Sequence, residues 1–192
     1  GLPMFSEKML MLTYTPRSDS ESRGYTPWLR EIDNPFFNSV NKIQNYSNWK
    51  LTQPSAQQVD WSHFDFMHLA KGAQPEEILG LPDVAEFAAG WTRQWGQDPD
   101  AEDLSVNYQV HIVERIRQGQ LRRRGLIALI LEPSFSDLPV QAELWKSTGM
   151  ILGAPQVTGT FAVLPLTYSD TLVDPRWGKS VLVAECIAQP DD

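Results

Sequence analysis

The sequence predicts an α+β fold in which an antiparallel sheet carries helices on one face. Short apolar runs typical of strands alternate with polar loops rich in proline and glycine. Two of the intervening segments instead carry helix signals, a helix-start signature in the first and apolar residues at helical spacing in the second. Up to residue 118 the resulting order is strand, helix, strand, strand, helix, strand. With 192 residues, 42% of them hydrophobic, the chain is long enough for one larger domain or two small fused ones.

The first strand is predicted in "EKMLMLTYTP", where Pro16 ends it. The helix that follows should start with Thr26 as N-cap and Pro27 as its first residue. Pro35 should kink or restart this helix, because proline lacks an N–H group and its ring clashes with the preceding turn. The second and third strands are then predicted in two runs, "IQNYSNWKLT" and "WSHFDFMHLAKG".

A second helix is predicted in "PEEILGLPDVAEFAAGWTRQWG", where one face is apolar at a spacing of three or four residues: Val84, Phe87, Ala88, Trp91 and Trp95. The fourth strand is predicted in "SVNYQVHIVERI". This order of elements is that of the ferredoxin-like βαββαβ unit, with both helices on one face of a four-stranded sheet. We therefore predict one such α+β unit over residues 1–118.

The remaining residues, 119–192, predict strand, helix, strand and strand. The helix is expected in "DLPVQAELWKSTGMIL", between strands in "GLIALILEP", "VTGTFAVLPL" and "SVLVAECIAQ". This order suggests a second, partial ferredoxin-like βαββ half that forms or completes an α+β barrel. The alternative is a C-terminal extension that lengthens or covers the first sheet. The sequence leaves both possibilities open.

Charge and composition exclude several classes of function. A formal net charge of −8 argues against nucleic acid as a partner, since phosphates require a basic surface. The arginine run Arg122, Arg123 and Arg124 is better explained as a solvated loop. No apolar run approaches the roughly 20 residues that cross a membrane, so no membrane partner is expected. The single cysteine, Cys186, fits a reducing cytoplasm.

The third and fourth strands carry polar residues at alternate positions. Because strand side chains alternate between faces, His63 and Asp65 share one face of the third strand, opposite Phe64, Phe66 and His68. In the fourth strand, Asn107, Gln109 and His111 share a face. If the apolar faces lie under the helices, all five polar residues lie on the other side of the sheet. A second half placed there would enclose a cavity suited to a small molecule.

These residues match the needs of acid–base catalysis. His63 is the candidate general base, Asp65 its orienting partner and His111 the acid, since histidine titrates near neutral pH. Asn107 and Gln109 are candidate hydrogen-bonding groups, and Tyr14 and Trp49 could contact an aromatic substrate. Two alternatives stay open: His63 and His111 as hydrogen-bonded structural residues, or His63 and Asp65 as metal ligands. We expect neither a metal nor a cofactor.

With its helices "WLREIDNPFF" and "DVAEFAAGWTRQWG", the chain resembles the dimeric α+β barrel superfamily, and the EthD-like branch in particular. The resemblance implies a small-molecule substrate, a possible homodimer and a cofactor-independent isomerase, dehydratase, cyclase or other lyase. It also allows a cofactor-free or haem-assisted monooxygenase, or a non-catalytic ligand-binding protein. Because one fold hosts many activities, the resemblance does not select a reaction.

Overall fold

The structure is a computed structural model that describes residues 7–96, 108–119, 125–166 and 173–190. Asn107 and the arginine run at 122–124 lie outside the described residues. Most of the ordered secondary structure is β-strand. The eight strands are β1 Lys8–Tyr14, β2 Ile43–Leu51, β3 His63–Leu69, β4 Gln109–Arg117, β5 Leu126–Pro133, β6 Glu143–Leu152, β7 Thr160–Leu166 and β8 Gly178–Ala188.

The α-helices of the described residues lie before β2 and before β4, and only α4 is longer than five residues. They are α1 Tyr25–Trp28, α2 Asn34–Asn38, α3 Pro75–Ile78 and α4 Pro82–Trp95, and a π-helical turn, Leu29–Asp33, joins α1 to α2. Pro35 lies in the first turn of α2, directly after the π-helical turn, and the backbone stays helical from α1 through α2. None of these helices combines the length and the apolar character needed to cross a bilayer.

The strands form one closed antiparallel barrel. Their order around it is β1–β3–β2–β8–β5–β7–β6–β4, and β4 pairs with β1 to close the ring. The strands of residues 1–118 join the later ones at two seams, where β2 pairs with β8 and β4 pairs with β6. Each of the eight described strands therefore pairs with a neighbour on both sides along at least part of its length.

The predicted α+β ferredoxin-like class is therefore wrong, as is the description of the fold as an α–β barrel. The clearest error is the helix expected in "DLPVQAELWKSTGMIL", most of which is strand β6. Its apolar residues fit a helical spacing, but β6 forms ladders with both β4 and β7. Leu144 and Trp145 consequently pack on opposite sides of the sheet, one in an outer cluster and one inside the barrel. Tertiary pairing has overridden the local pattern.

The barrel interior is filled by apolar side chains. The buried cluster includes Met9 and Met11 from β1, Phe64 and Phe66 from β3, and, from later strands, Leu129, Trp145, Phe161 and Leu182. An eight-stranded barrel is just wide enough for its inward side chains to fill it. The cavity predicted inside the barrel is replaced, over the described residues, by a packed core.

The outer face of the first four strands is also buried. Leu10, Leu12, Met67 and Val110 pack there against residues of the helical segments, among them Phe37, Ile78 and Val84. Both faces of β1 and β3 are thus covered, one by the barrel core and the other by helices. The candidate site lies on this second, outer side.

Candidate functional site

The structure places the polar residues of β3 and β4 on opposite sides of the sheet. Leu12 of β1 is paired with both Asp65 and Val110, so Asp65 lies on the outer face beneath the helices. Met11 is paired with both Phe66 and His111, which therefore face the barrel interior. The expected single polar face does not exist: His63 and Asp65 lie outside, and Gln109 and His111 lie inside.

The assignment of faces failed at β3 for a physical reason. The prediction placed the more apolar face of each strand under the helices, which is sound where the other face meets water. In this closed barrel both faces of β3 are buried, and all seven of its residues are shielded from solvent. The more apolar face, with Phe64, Phe66 and His68, fills the interior, and the polar one lies under the helices.

A cavity of about 330 Å³ separates the outer face of the sheet from the helices. Carboxyl and phenol groups line it on the sheet and α2 side, and mostly apolar side chains line it on the α4 side. These residues include Asp33, Asp65, Tyr14, Tyr46 and Tyr108, and from α4 Val84, Phe87, Ala88, Trp91 and Thr92. Its volume falls in the range of small-molecule pockets.

Two buried carboxyl groups meet at the wall of this cavity. Asp33 comes from the π-helical turn and Asp65 from β3, and each is only 3% exposed. The Tyr46 hydroxyl lies 2.8 Å from Asp33 Oδ2 and 3.0 Å from Asp65 Oδ2. Asn48 Nδ2 lies 3.0 Å from Asp33 Oδ2 and 2.9 Å from Asp65 Oδ1. A phenol and an amide from β2 thus bridge the two acids, which we call the carboxyl pair.

The orientation of the Asn48 amide is fixed by a second asparagine. Asn34 Nδ2 donates to Asn48 Oδ1 at 3.0 Å and to the Tyr46 carbonyl at 3.1 Å. Asn34 Oδ1 in turn accepts a hydrogen bond from Asn38 Nδ2 at 3.0 Å. With its oxygen occupied in this way, Asn48 presents only N–H donors to the carboxyl pair. Donors favour the charged form of an acid.

The carboxyl pair holds on to a proton at neutral pH. Burial raises the pKa of Asp33 to about 6, against the opposing effect of its hydrogen bonds from Tyr46 and Asn48. Burial, followed by the charge of Asp33, raises the pKa of Asp65 well above its usual value. Two carboxyl groups this close in an apolar setting do not both ionise readily. Burial and the mutual repulsion of the two acids therefore favour a pair that keeps one proton and carries one negative charge.

Hydrogen-bond geometry agrees with this single shared proton. The Tyr46 hydroxyl has one hydrogen and can donate it to only one carboxyl group. The short contact between the Tyr46 hydroxyl and the second carboxyl group is then a hydrogen bond only if that carboxyl group is protonated and donates to the phenol oxygen. With the proton on Asp65, a chain runs from Asp65 through Tyr46 to Asp33.

One oxygen of the carboxyl pair is left for a ligand. Both oxygens of Asp65 are engaged, by Asn48 and Tyr46. At Asp33 both contacts go to Oδ2, and among the described residues no donor bonds Oδ1. Asp33 lines the cavity, so this free acceptor is available to a bound molecule. The Tyr108 hydroxyl lines the same cavity and likewise has no hydrogen-bond partner in the described parts of the chain.

His63 lies beside the cavity wall instead of lining it. Its ring stacks on Tyr14 with centroids 5.5 Å apart and meets Tyr25 edge-on at 5.6 Å. Nδ1 contacts Ser62 Oγ at 2.7 Å, whereas Nε2 is buried without a hydrogen-bond partner among the described residues. Burial, and to a smaller extent the charge of Lys50, lowers the pKa of His63 to about 3. The ring is therefore neutral at physiological pH and has no direct contact with Asp65.

The remaining predicted site residues are dispersed. His111 Nδ1 lies 3.0 Å from the Met11 carbonyl, and Nε2 accepts from the backbone N–H groups of Gln156 and Val157 at 3.2 Å. Both ring nitrogens are thus engaged by backbone, which ties the β6–β7 loop to the barrel. Gln109 lies on the interior face, and Trp49 packs in the barrel core. Among the other predicted contact residues, only Tyr14 lines the cavity, and Asn107 is outside the described residues.

Asp33, the residue with the free oxygen, is not among the residues predicted from the sequence. A signal was present: Leu29, Asp33 and Phe37 follow one another at intervals of four residues and are all buried. An aspartate in the apolar stripe of a helix is a buried charge that needs partners. Asn48 gave a weaker signal, because an amide in a strand is common on a wet face. Its role follows only from the register that sets it opposite Asp65.

In the residues that the structure describes, no group of three or more histidine, cysteine, aspartate or glutamate side chains is placed to hold a metal ion. The carboxyl pair by itself offers two acidic side chains. What the geometry provides is therefore a proton-holding acid pair at the wall of an aromatic cavity.

No protein-family model, curated protein or solved structure matches this chain, so the resemblance to the dimeric α+β barrel superfamily stays a prediction and the function is argued from the cavity alone.

Proposed function

We propose that the protein is a cofactor-independent acid–base enzyme, an isomerase or lyase, that acts on a small, largely apolar, aromatic or carbonyl-bearing molecule in this cavity. The observation that carries the proposal is the bridged carboxyl pair with one unengaged oxygen, Asp33 Oδ1, on the cavity wall. A general base works best when its pKa lies near the working pH. Burial raises the pKa of Asp33 to about 6, which meets this requirement.

In the proposed reaction, Asp33 Oδ1 removes a proton from a carbon next to the substrate's carbonyl group. The electron pair of the broken C–H bond moves onto the carbonyl oxygen, giving an enolate. The Tyr108 hydroxyl is the candidate donor to that oxygen, because burial raises the pKa of this phenol and keeps its proton in place. Returning the proton to another carbon gives an isomer, and loss of a leaving group gives a lyase product.

The neighbours of Asp33 have positioning roles in this scheme. Tyr46 and Asn48 both bond Oδ2 and thereby direct Oδ1 towards the cavity. Asp65 keeps a proton on its side of the phenol, so that Asp33 is the acid that titrates near neutrality. The mostly apolar side chains that line the α4 side of the cavity favour an apolar substrate.

A deuterium-exchange assay tests the proposal without knowledge of the natural substrate. Phenylacetone, phenylacetaldehyde and 2-indanone are incubated with the protein in D₂O, and incorporation at the α-carbon is followed by NMR. The wild-type protein should accelerate exchange of at least one probe. Asp33→Asn should reduce that acceleration by about 100-fold or more, the usual contribution of a general base.

Glu185→Gln is the matched control, because it removes a carboxylate that is exposed on β8, away from the cavity. It should exchange the probes at the wild-type rate. Equal rates for Asp33→Asn and wild type would contradict the proposal, as would the absence of acceleration by the wild-type protein on every probe.

A non-catalytic ligand-binding protein is the second candidate, favoured by the same cavity between the sheet and the helices. It predicts binding of the probes with no exchange, and Asp33→Asn would then change affinity alone. The cytoplasmic location and a homodimer remain part of the proposal as predictions; the single Cys186 supports the former.

A further inference from the structure

We propose that this cavity also binds amines, that is, molecules that carry a positively charged amino group on an apolar body, and that the ammonium binds at Asp33 Oδ1. An ammonium there occupies the oxygen that serves as the base in the proposed reaction, so an amine would compete with the carbonyl-bearing substrate. The inference therefore does not depend on the proposed function, and a binding protein would select the same ligand.

The first observation is the unbalanced charge of the cavity. Two carboxyl groups line the cavity, whereas none of the described lining residues is a lysine, arginine or histidine. Burying a carboxylate without a cationic partner is unfavourable, and a cation supplied by the ligand relieves this penalty. An anionic ligand would instead face the charge of the carboxyl pair with no compensating group. The lining therefore favours a cation and disfavours an anion.

The second observation is the free oxygen itself. Asp33 is 3% exposed and lines the cavity, and its Oδ1 has no donor among the described residues. A buried carboxylate oxygen normally accepts one or more hydrogen bonds. The N–H groups of an ammonium would satisfy it, and hydrogen bonds between charged partners are the strong ones.

The third observation is the aromatic wall beside the acids. Tyr14, Trp91 and Tyr108 line the cavity as one cluster, with ring centroids between 5.1 and 5.5 Å apart. Aromatic faces attract cations, and the attraction is larger where water is excluded. The same rings give apolar contact to the body of the ligand. Carboxylate and rings together suit an aromatic or alicyclic amine.

Several titratable groups surround Asp33, and their states set the pH dependence. They are Tyr25 on the helical segment that also carries Asp33, Tyr14 on β1, Tyr46 on β2, His63 and Asp65 on β3, and Tyr108 just before β4. None of the α4 residues that line the cavity is titratable. The phenols stay neutral because burial raises their pKa values, and His63 stays neutral because burial lowers its pKa to about 3. The pH dependence between pH 5 and pH 7.5 therefore comes from the carboxyl pair, in which burial raises the pKa of Asp33 to about 6.

The test measures binding of three probes of similar shape and different charge by calorimetry: benzylamine, benzyl alcohol and benzoate. At pH 7.5 benzylamine should bind at least tenfold more tightly than benzyl alcohol, and benzoate should bind most weakly. At pH 5 most of Asp33 is protonated, so benzylamine affinity should fall about tenfold while that of benzyl alcohol stays constant.

Two isosteric variants separate the acids. Asp33→Asn should abolish the preference for benzylamine over benzyl alcohol. Asp65→Asn imitates the protonated state of Asp65 and keeps its bonds with Tyr46 and Asn48, so the preference should survive. Near-ultraviolet circular dichroism establishes that both variants are folded.

The inference is overturned if benzyl alcohol or benzoate binds as tightly as benzylamine, if no probe binds, or if both variants lose the preference equally. The two assays distinguish failure of the amine site from failure of the proposed enzyme activity. Benzylamine preference without exchange of the carbonyl probes would refute the enzyme and retain the amine site. Exchange without amine preference would do the reverse.

Discussion

Replacing Asp33 by asparagine should stabilise the protein at neutral pH, although Asp33 is the central residue of the candidate site. Burial raises the pKa of Asp33 from 3.8 to about 6 in the folded state. An acid with a raised folded pKa contributes its full stability below the unfolded pKa, near pH 4. That contribution is lost as the pH rises through about 6. The penalty above pH 6 is about 3 kcal/mol, since one pKa unit corresponds to roughly 1.4 kcal/mol.

Asparagine avoids this penalty because it has the shape of the neutral acid. Its side-chain oxygen can accept from Tyr46 and Asn48 in the place of Asp33 Oδ2, and its amide then faces the cavity. The free energy of unfolding should therefore rise by up to about 3 kcal/mol at pH 7.5 and change little at pH 4. Urea unfolding of the variant and of wild type at both pH values measures the difference.

The surface variant Glu185→Gln controls for the loss of a carboxylate in general, and its stability should match wild type at both pH values. The reasoning is refuted if Asp33→Asn is less stable than wild type at pH 7.5. It is also refuted if the difference is the same at pH 4 and pH 7.5. Either result would mean that the hydrogen bonds of Tyr46 and Asn48 outweigh burial and that Asp33 is an ordinary ionised acid.

Two further substitutions address the bridge and the barrel. Tyr46→Phe removes a hydrogen bond that lowers the pKa of Asp33. The pKa of Asp33, measured by carboxyl ¹³C NMR titration, should therefore rise above about 6. An unchanged pKa would show that the Tyr46 hydroxyl does not bridge the carboxyl pair. His111→Ala leaves the backbone N–H groups of Gln156 and Val157 without their acceptor. The free energy of unfolding should fall by about 2–4 kcal/mol, and hydrogen exchange at both amides should become faster. Unaltered exchange would show that His111 does not hold the β6–β7 loop.

Local structure was largely predictable from the sequence. Apolar runs bounded by polar loops located strands such as β1 and β3, and helical spacing located α4, because these patterns reflect burial of one side of each element. The failure at β6 came from a run whose apolar residues fit two periods, where pairing with β4 and β7 decided the outcome.

The composition of the site was less predictable than its elements. Sequence parity correctly joined His63 to Asp65 on one face and Gln109 to His111 on another, but it could not say which faces meet. That depends on closure of the barrel, which buries both sides of β3. Asp65 and Tyr14 were identified and line the cavity. Asp33 was missed because it belongs to a helical segment more than 30 residues before Asp65, and only the fold brings them together.

The energetics of the carboxyl pair argue that its role is chemical. The free energy of unfolding of a domain is only about 5–15 kcal/mol, so a penalty of about 3 kcal/mol at Asp33 is a large fraction of the total stability. Asparagine at this position would preserve the contacts with Tyr46 and Asn48 and avoid the charge, so packing and hydrogen bonding give no reason for an acid. What aspartate adds is a titratable oxygen facing an aromatic cavity, with a pKa of about 6. Stability given up at a site is typical of catalytic and binding groups.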